Sequence, residues 1–242
     1  MEWHDKGYIL ATRKHGESAL IVSALTQTRG RQTGLVRGGA GRRKRGGLQV
    51  GNLVTLDWRG RLPEHLGSLT TEVLETPAAA LMNCPDGLAA LSAACAVTEA
   101  LLPEGEDHPA IFHGLAALFG VLDDADVGSA YVKWEMGVLG ELGFGLDLAA
   151  CAATGETENL IYVSPKTGRA VSAAAGKPYH GRLLALPAFL LGPGAAETPD
   201  EVVDGLKLTG YFLESHALEG RAGRLAARDR LMERFQAKNR SL

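Results

Sequence analysis

The chain has 242 residues, of which 45% are hydrophobic and 22% charged, so it can form one large domain or two to three small ones. No apolar run approaches the roughly 18 residues that span a bilayer, the N-terminus lacks the pattern of a signal peptide, and three cysteines form no even disulfide framework. We therefore expect a cytoplasmic protein without membrane segments.

The net charge of -3 conceals a strong segregation of charge along the chain. Residues 1–76 contain 12 Lys/Arg and 7 Asp/Glu, whereas residues 77–128 contain 8 acids and neither Lys nor Arg. Within 29–61 there are nine cations and one acid, Asp57. Because local charge sets the field that a polyanion meets, the N-terminal part can attract a polyanion despite the acidic total.

The first 76 residues show a β pattern. Short runs rich in branched residues are separated by turns that contain glycine, which is typical of strands. The predicted strands cover residues 7–16, 18–28, 32–39, 51–60 and 66–76. Five short strands predict a small barrel, of which the OB-fold is the common five-stranded case. An SH3-like barrel would give a similar pattern, so both remain open.

From Pro77 the hydrophobic spacing changes to that of helices. Thr198, Pro199 and Glu201 form a capping-box sequence, and a last helix is predicted over about 221–238. A Gly/Ala/Thr-rich segment at about 147–183 has hairpin character. The prediction is therefore an α+β protein with a barrel domain over 1–76 and a helical domain with an insert over 77–242.

The segment between the third and fourth predicted strands contains four consecutive cations flanked by glycines, 42–45. It lacks the Gly-Lys-Ser/Thr ending of a P-loop and leads into a strand, which disfavours a nucleotide-hydrolysing site. Cations in a glycine-rich loop can instead displace counterions from DNA or RNA. The predicted DNA-binding residues of the N-terminal part are Arg37, Arg42, Arg43, Lys44, Arg45, Arg59, Arg61 and Trp58.

The aromatic residues Tyr8 and Trp58 could stack on bases in such a barrel, but equally they could belong to its core. For these two residues alone the core is the favoured interpretation. The C-terminal arginines are interleaved with acids and do not share one helical stripe, which favours a solvated helix. They are Arg221, Arg224, Arg228, Arg230 and Arg234.

No motif of a hydrolase, zinc protease or nucleotide-binding enzyme occurs, so we expect no catalytic residues and no cofactor. The insert has the outline of a zinc ribbon, yet Cys151 is its only cysteine. Thr154 occupies the next C-x-x-C position, and the second knuckle offers only Ser172 and Ala175. Structural zinc needs four ligands, so we expect a ribbon without metal. Its expected core comprises Leu160, Tyr162, Val163 and Val171.

Several segments resemble the RecO family of bacterial DNA repair proteins. They are Gly16-Glu17-Ser18, Thr26 to Gly30, Gly38-Gly39-Ala40, the basic residues 42–45 and Gln49, within a match over about 6–76. A weaker likeness continues through "GFGLDLAAC" and "YVSPKTGRAVS". The resemblance implies an OB-fold, a helical body and a zinc-ribbon insert. This chain departs from the family pattern in the insert, where zinc-binding cysteines are missing.

The resemblance also implies function. Members of the family bind single- and double-stranded DNA, anneal complementary strands and, with RecR, help RecA to replace single-stranded DNA-binding protein (SSB). They also bind the acidic C-terminal tail of SSB, for which Lys133, next to Trp134, is the candidate contact here. We expect a nucleoid-associated DNA-binding protein. An RNA-binding OB module and a scaffold with a merely solvated loop are the alternatives.

Overall fold

Five strands close into a barrel in the first part of the chain. They are β1 (Glu2–His15), β2 (Ala19–Thr26), β3 (Arg31–Val36), β4 (Leu53–Arg59) and β5 (Gly67–Glu75). β1 pairs with β4 along its first half and with β2 along its second half. β3 pairs in parallel with the start of β5, which gives the closed order β1-β2-β3-β5-β4. This arrangement fits the OB-fold.

The computed structural model describes residues 1–62, 66–124, 126–192, 198–218 and 225–240, without the side chain of Arg43. The chain divides into two compact units. The first comprises Met1–Asp123 with Arg224–Arg228, and the second comprises Asp124–Gly223 with Asp229–Leu242. The barrel therefore lies wholly in the first unit. No helix in the described ranges is long and apolar enough to cross a membrane.

Alternation along the strands builds the barrel core. On β4, Val54, Leu56 and Trp58 are buried, whereas the intervening side chains face outward. A Cβ atom on Gly60 or Gly67 would lie 2.3 Å from a Trp58 ring atom, so glycine at both positions makes room for the indole. The barrel is therefore packed around one large aromatic side chain near the β4–β5 connection.

A single basic helical turn, α1 (Arg42–Arg45), lies between β3 and β4. Three helices of the first unit follow the barrel: α2 (Pro77–Ala80), α3 (Pro85–Leu101) and α4 (Pro109–Phe119). Tyr8 packs against Phe112 and Phe119 of α4, with ring centroids 5.3 and 5.2 Å away. Glu99 of α3 accepts a hydrogen bond from Ser23 of β2. Barrel and helices thus share apolar and polar contacts within this unit.

The second unit combines helices with a small antiparallel sheet of three strands, β6 (Leu160–Val163), β7 (Ala170–Ser172) and β8 (Leu184–Ala185), in the order β7-β6-β8. The capping box predicted at Thr198 and Glu201 is confirmed, with both reciprocal hydrogen bonds formed. The α-helices described here are α5 (Val127–Glu141), α6 (Ala173–Gly176) and α7 (Pro199–Phe212), together with α8 (Ala226–Asn239), of which residues 226–228 belong to the first unit.

The structure confirms the five strands and the change to helices, but several boundaries differ from the prediction. β1 begins at Glu2, not at residue 7, because its polar first residues pair with β4. The last helix begins at Ala226 among described residues, and the predicted start near 221 lies outside them. In the small sheet Leu160, Val163 and Val171 are buried, and Tyr162 is half-buried.

Two glycines with similar backbone conformations provide a matched stability test. Gly16 has φ +61° and open space where a Cβ would lie, whereas Gly30 has φ +66° and a Cβ there would lie 1.7 Å from the Glu106 carbonyl oxygen. Gly16→Ala should lower the free energy of unfolding by about 1 kcal/mol, because alanine disfavours the left-handed backbone conformation. Gly30→Ala should cost at least about 3 kcal/mol because backbone must also move. Urea unfolding would measure both, and equal losses would contradict this packing.

Candidate nucleic-acid interface

The basic segment 37–48 is fixed to the barrel by its backbone. The carbonyl of Gly41 accepts hydrogen bonds from the N–H groups of Lys44 and Arg45, which form the single turn α1. Ala40 N–H donates to the Ser18 carbonyl, and Leu48 is buried in the barrel core. The glycine-rich loop predicted between the third and fourth strands therefore contains one helical turn at 42–45, and the flanking Gly41 and Gly46 have backbone angles that any residue can adopt.

The cations of this segment face solvent. Arg37, Arg42, Lys44 and Arg45 are exposed, and the side chain of Arg43 lies outside the description. Lys44 Nζ donates to the Arg37 carbonyl at 3.2 Å. None of the four exposed side chains forms a salt bridge with another described residue. Their positive charge is therefore available to an external anion.

Arg59 and Arg61 lie at the opposite end of β4 from α1 and are also exposed. Arg59 Nε lies 3.5 Å from the Glu2 carboxylate, and both side chains are about two-thirds exposed, so solvent weakens the pair. The predicted cations thus form two groups, one on the β3–β4 connection and one at the end of β4.

Strand pairing places Arg59 in a row of paired residues, one from each neighbouring strand, that crosses the outside of the barrel. The registered pairs of this row run Arg59–Ser68, Ser68–Leu35, Leu35–Ile21 and Ile21–Arg13. Neighbouring strands are about 4.8 Å apart, so the row spans roughly 20 Å. It has an exposed cation at each end and two half-buried aliphatic side chains between them. Arg13, like Arg59, lies near a carboxylate, with its Nη2 atom 3.6 Å from Glu99. The cations of this row can therefore contact phosphates only in competition with these carboxylates.

Both predicted stacking residues lie in the interior. Trp58 is 2% exposed and Tyr8 is 4% exposed. Neither ring has a face free for a base, so the structure places both in the core, the interpretation favoured for the aromatics alone. Trp3, which sequence reasoning did not single out, is only partly buried and stacks on Trp58. Only the β1–β4 register, in which the two tryptophans are opposite, could have indicated it.

Lys133 lies beside a groove of the second unit. Its Nζ atom is 5.7 Å from the centroid of the Phe189 ring. The groove has a volume of about 380 Å³ and is lined by Lys133, Met136, Phe189, Leu190 and Gly192. The neighbouring Trp134 is instead 7% exposed. The aromatic partner of Lys133 is therefore Phe189, 56 positions away in the sequence.

Cys151 lies in a tight turn next to β7. The backbone N–H of Ser172 donates to its Sγ at 3.2 Å. Hydrogen bonds from Thr154 and then from Ser172 lower the pKa of the thiol to about 6. Burial in α3 has the opposite effect on Cys95 and raises its pKa to about 12. Among described residues, no three His, Cys, Asp or Glu side chains are grouped as metal ligands would be.

Comparison with known proteins identifies relatives along almost the whole chain. A family model described as "Recombination protein O N terminal" matches residues 1–77, and one described as "Recombination protein O C terminal" matches residues 83–224. Proteins named DNA repair protein RecO are similar throughout. That of Rhodospirillum rubrum is 49% identical over 98% of this chain and 97% of its own length. That of Rhodospirillum centenum is 50% identical over 98% of this chain and 95% of its own length.

We predict that the purified protein contains no stoichiometric zinc. Cys151 is the only cysteine of the segment 147–185, and structural zinc sites hold four nitrogen or sulfur ligands. A chelator should leave the melting temperature unchanged, because the small sheet is held by Leu160, Val163 and Val171. Elemental analysis that finds about one zinc per chain, lost together with thermal stability on chelation, would contradict the prediction.

Proposed function

Because the chain belongs to the RecO family of DNA repair and recombination proteins, we propose that it is a DNA-binding recombination mediator. In this proposal the barrel binds single-stranded and double-stranded DNA and anneals complementary single strands. With RecR, the protein helps RecA to load onto DNA coated by SSB. The family is one of mediators and not a known enzyme class, so we propose that its action requires neither catalytic residues nor a cofactor.

The observation that carries the proposal is the exposed basic segment on the barrel. Arg37, Arg42, Lys44 and Arg45 are presented by a backbone that is anchored through Leu48 and Ser18. Each cation that neutralises a phosphate releases a counterion, which favours binding without regard to sequence. Fixed cations on a small β-domain thus support a contact to the phosphate backbone.

Annealing adds a further physical requirement. Two strands of like charge must approach each other, so a protein must neutralise phosphates while the base edges stay free. Cations at the surface of α1 meet this requirement because they reach phosphates and do not enclose bases. Residues 77–128 contain eight acids without Lys or Arg, and this charge would repel DNA. We propose that DNA is thereby confined to the surface of the domain 1–76.

The groove at Lys133 supports a contact to the SSB tail. An acidic peptide needs a cation beside an apolar wall. Lys133 supplies the charge, while Met136, Phe189 and Leu190 supply apolar walls. We propose that the tail lies along this groove with its negative charge near Lys133 Nζ.

We propose that residues 77–242 form a helical domain and that its segment at about 147–183 is a zinc-ribbon-like insert without metal ligands. We also propose that the protein acts in the cytoplasm, in association with the nucleoid. A general RNA-binding module is the competing function, and it predicts that RNA binds at least as tightly as DNA.

Removal of the α1 cations tests the DNA contact. If about three to five phosphates are neutralised, log K for single-stranded DNA should fall against log salt with a slope of roughly -2 to -3.5. Converting Arg42, Arg43, Lys44 and Arg45 together to alanine should weaken binding and annealing and reduce this slope. Alanine favours the helical turn, so folding should be preserved. Fluorescence anisotropy with labelled DNA and RNA at several salt concentrations measures these quantities.

The matched control removes four exposed cations from the second unit: Lys166, Lys177, Arg182 and Lys207. This variant loses the same charge and should keep nearly the wild-type salt slope. A wild-type slope near zero would overturn the electrostatic contact. An equal loss of DNA affinity in both variants would show that total charge, and not the α1 surface, determines affinity.

Lys133→Glu tests the tail contact. Reversal of the charge at the groove should weaken binding of a synthetic SSB C-terminal peptide by about tenfold, because like charges then meet at the rim. Isothermal titration would measure the dissociation constant. Lys207→Glu, which changes an exposed lysine of α7, is the control and should bind the peptide as the wild type does. Unchanged peptide affinity in the folded Lys133→Glu protein would exclude this groove.

A further inference from the structure

One end of the barrel carries a stack of three side chains. The Trp3 and Trp58 ring centroids are 5.8 Å apart and their planes differ by 4°. The Arg29 guanidinium carbon lies 5.6 Å from the centroid of the Trp3 ring. The stack therefore runs from a buried indole through a partly buried indole to an exposed cation.

The ring of Trp58 holds the ring of Trp3 in its orientation. Trp3 lies directly opposite Trp58 in the antiparallel register of β1 and β4. Trp58 is itself enclosed by Gly60 and Gly67, whose backbones approach its ring closely. Because Trp58 is closely packed, the parallel and offset ring of Trp3 is oriented by it. A flat, rigid, partly exposed aromatic surface is what a base requires for stacking.

Arg29 is held near Trp3 by the β2–β3 turn. The carboxylate of Asp5 accepts hydrogen bonds from the N–H and hydroxyl groups of Thr28, at 3.0 and 2.8 Å. The Arg29 N–H donates to the Thr26 hydroxyl at 2.9 Å. The backbone at Arg29 is thus fixed while its side chain is exposed, and it has no salt-bridge partner among the described residues.

The contact between Arg29 and Trp3 is weak enough to be exchanged. An exposed arginine over an indole gains little because its charge remains hydrated, whereas a base that stacks on an aromatic side chain gains more. A base arriving at Trp3 can therefore replace the guanidinium. The displaced guanidinium then carries free donors beside the sugar–phosphate backbone of the same nucleotide, with the geometry that suits a phosphate.

We propose that Trp3 and Arg29 form a nucleotide subsite at this end of the barrel, where Trp3 stacks on a base of single-stranded DNA and Arg29 binds the adjacent phosphate. The inference rests on the proposed DNA binding and adds a contact to bases. Bases within a duplex are already stacked on each other and do not reach Trp3. The subsite therefore favours single strands over duplexes, whereas the α1 cations contact the phosphates of either.

The test compares a thymine oligonucleotide with an abasic strand that has the same number of phosphates. The wild type should bind the thymine strand about 5- to 100-fold more tightly. Trp3→Leu should remove most of this preference and leave the affinity for the abasic strand unchanged. Tyr179→Leu, which removes an exposed aromatic ring from the second unit, is the control and should retain the preference.

A second readout does not depend on the leucine variant folding. Trp58 and Trp134 are 2% and 7% exposed, so stacking of a base should quench mainly the fluorescence of Trp3. Quenching should occur with the thymine strand but not with the abasic strand, and it should be lost in Trp3→Phe while DNA remains bound. Arg29→Gln should reduce the slope of log K against log salt for the thymine strand by about 0.7, the value for one phosphate of a single strand. Lys166→Gln is the control and should not change this slope.

The outcomes separate the subsite from the function on which it rests. A wild type that binds neither strand overturns the proposed function and the subsite together. Equal affinity for both strands without quenching overturns the subsite alone and leaves binding to phosphates intact. Quenching that persists in Trp3→Phe would assign the stacking to another tryptophan and would also overturn the subsite.

Discussion

The double pairing of β1 is the constraint on which the first unit depends. One strand pairs with β4 along its first half and with β2 along its second, so it closes the barrel and aligns two distant parts of the chain. Because of this register, Trp3 lies on Trp58, and Asp5 reaches the β2–β3 turn that carries Arg29. Closure of the barrel also buries the apolar side chains that face its interior. The described cations on the β2–β3 turn and on the basic segment 37–48 remain at the surface.

The distribution of charge gives this barrel its proposed role. The cations of 29–61 lie on a small domain, and several of them have no acidic partner among the described residues. Acids are concentrated instead in 77–128. An overall charge of -3 is therefore compatible with DNA binding, because a polyanion responds to the nearest charges within about 10 Å at ordinary salt. This separation also gives a reason for the salt sensitivity expected of the complex.

The sequence was sufficient for features that depend on local pattern and insufficient for those that depend on pairing. Alternation of Val54, Leu56 and Trp58 with polar neighbours predicted β4. The same pattern did not decide between core and DNA for Trp58, which was predicted to contact DNA and is buried. The capping box at Thr198 was equally local. By contrast, the stack on Trp3 depends on strand register, and the contact between Lys133 and Phe189 joins residues far apart in sequence. The helical turn at 42–45 was missed because its glycine neighbours are typical of loops.

Hydrogen–deuterium exchange of the intact protein, with and without single-stranded DNA, directly tests whether the barrel binds DNA. We expect DNA to slow exchange in the basic segment 37–48 and in the strand and turn that carry Trp3 and Arg29. We expect little change in the small sheet β6–β8 of the second unit. Protection confined to the second unit, with unchanged exchange across the barrel, would contradict the assignment of DNA binding to the barrel.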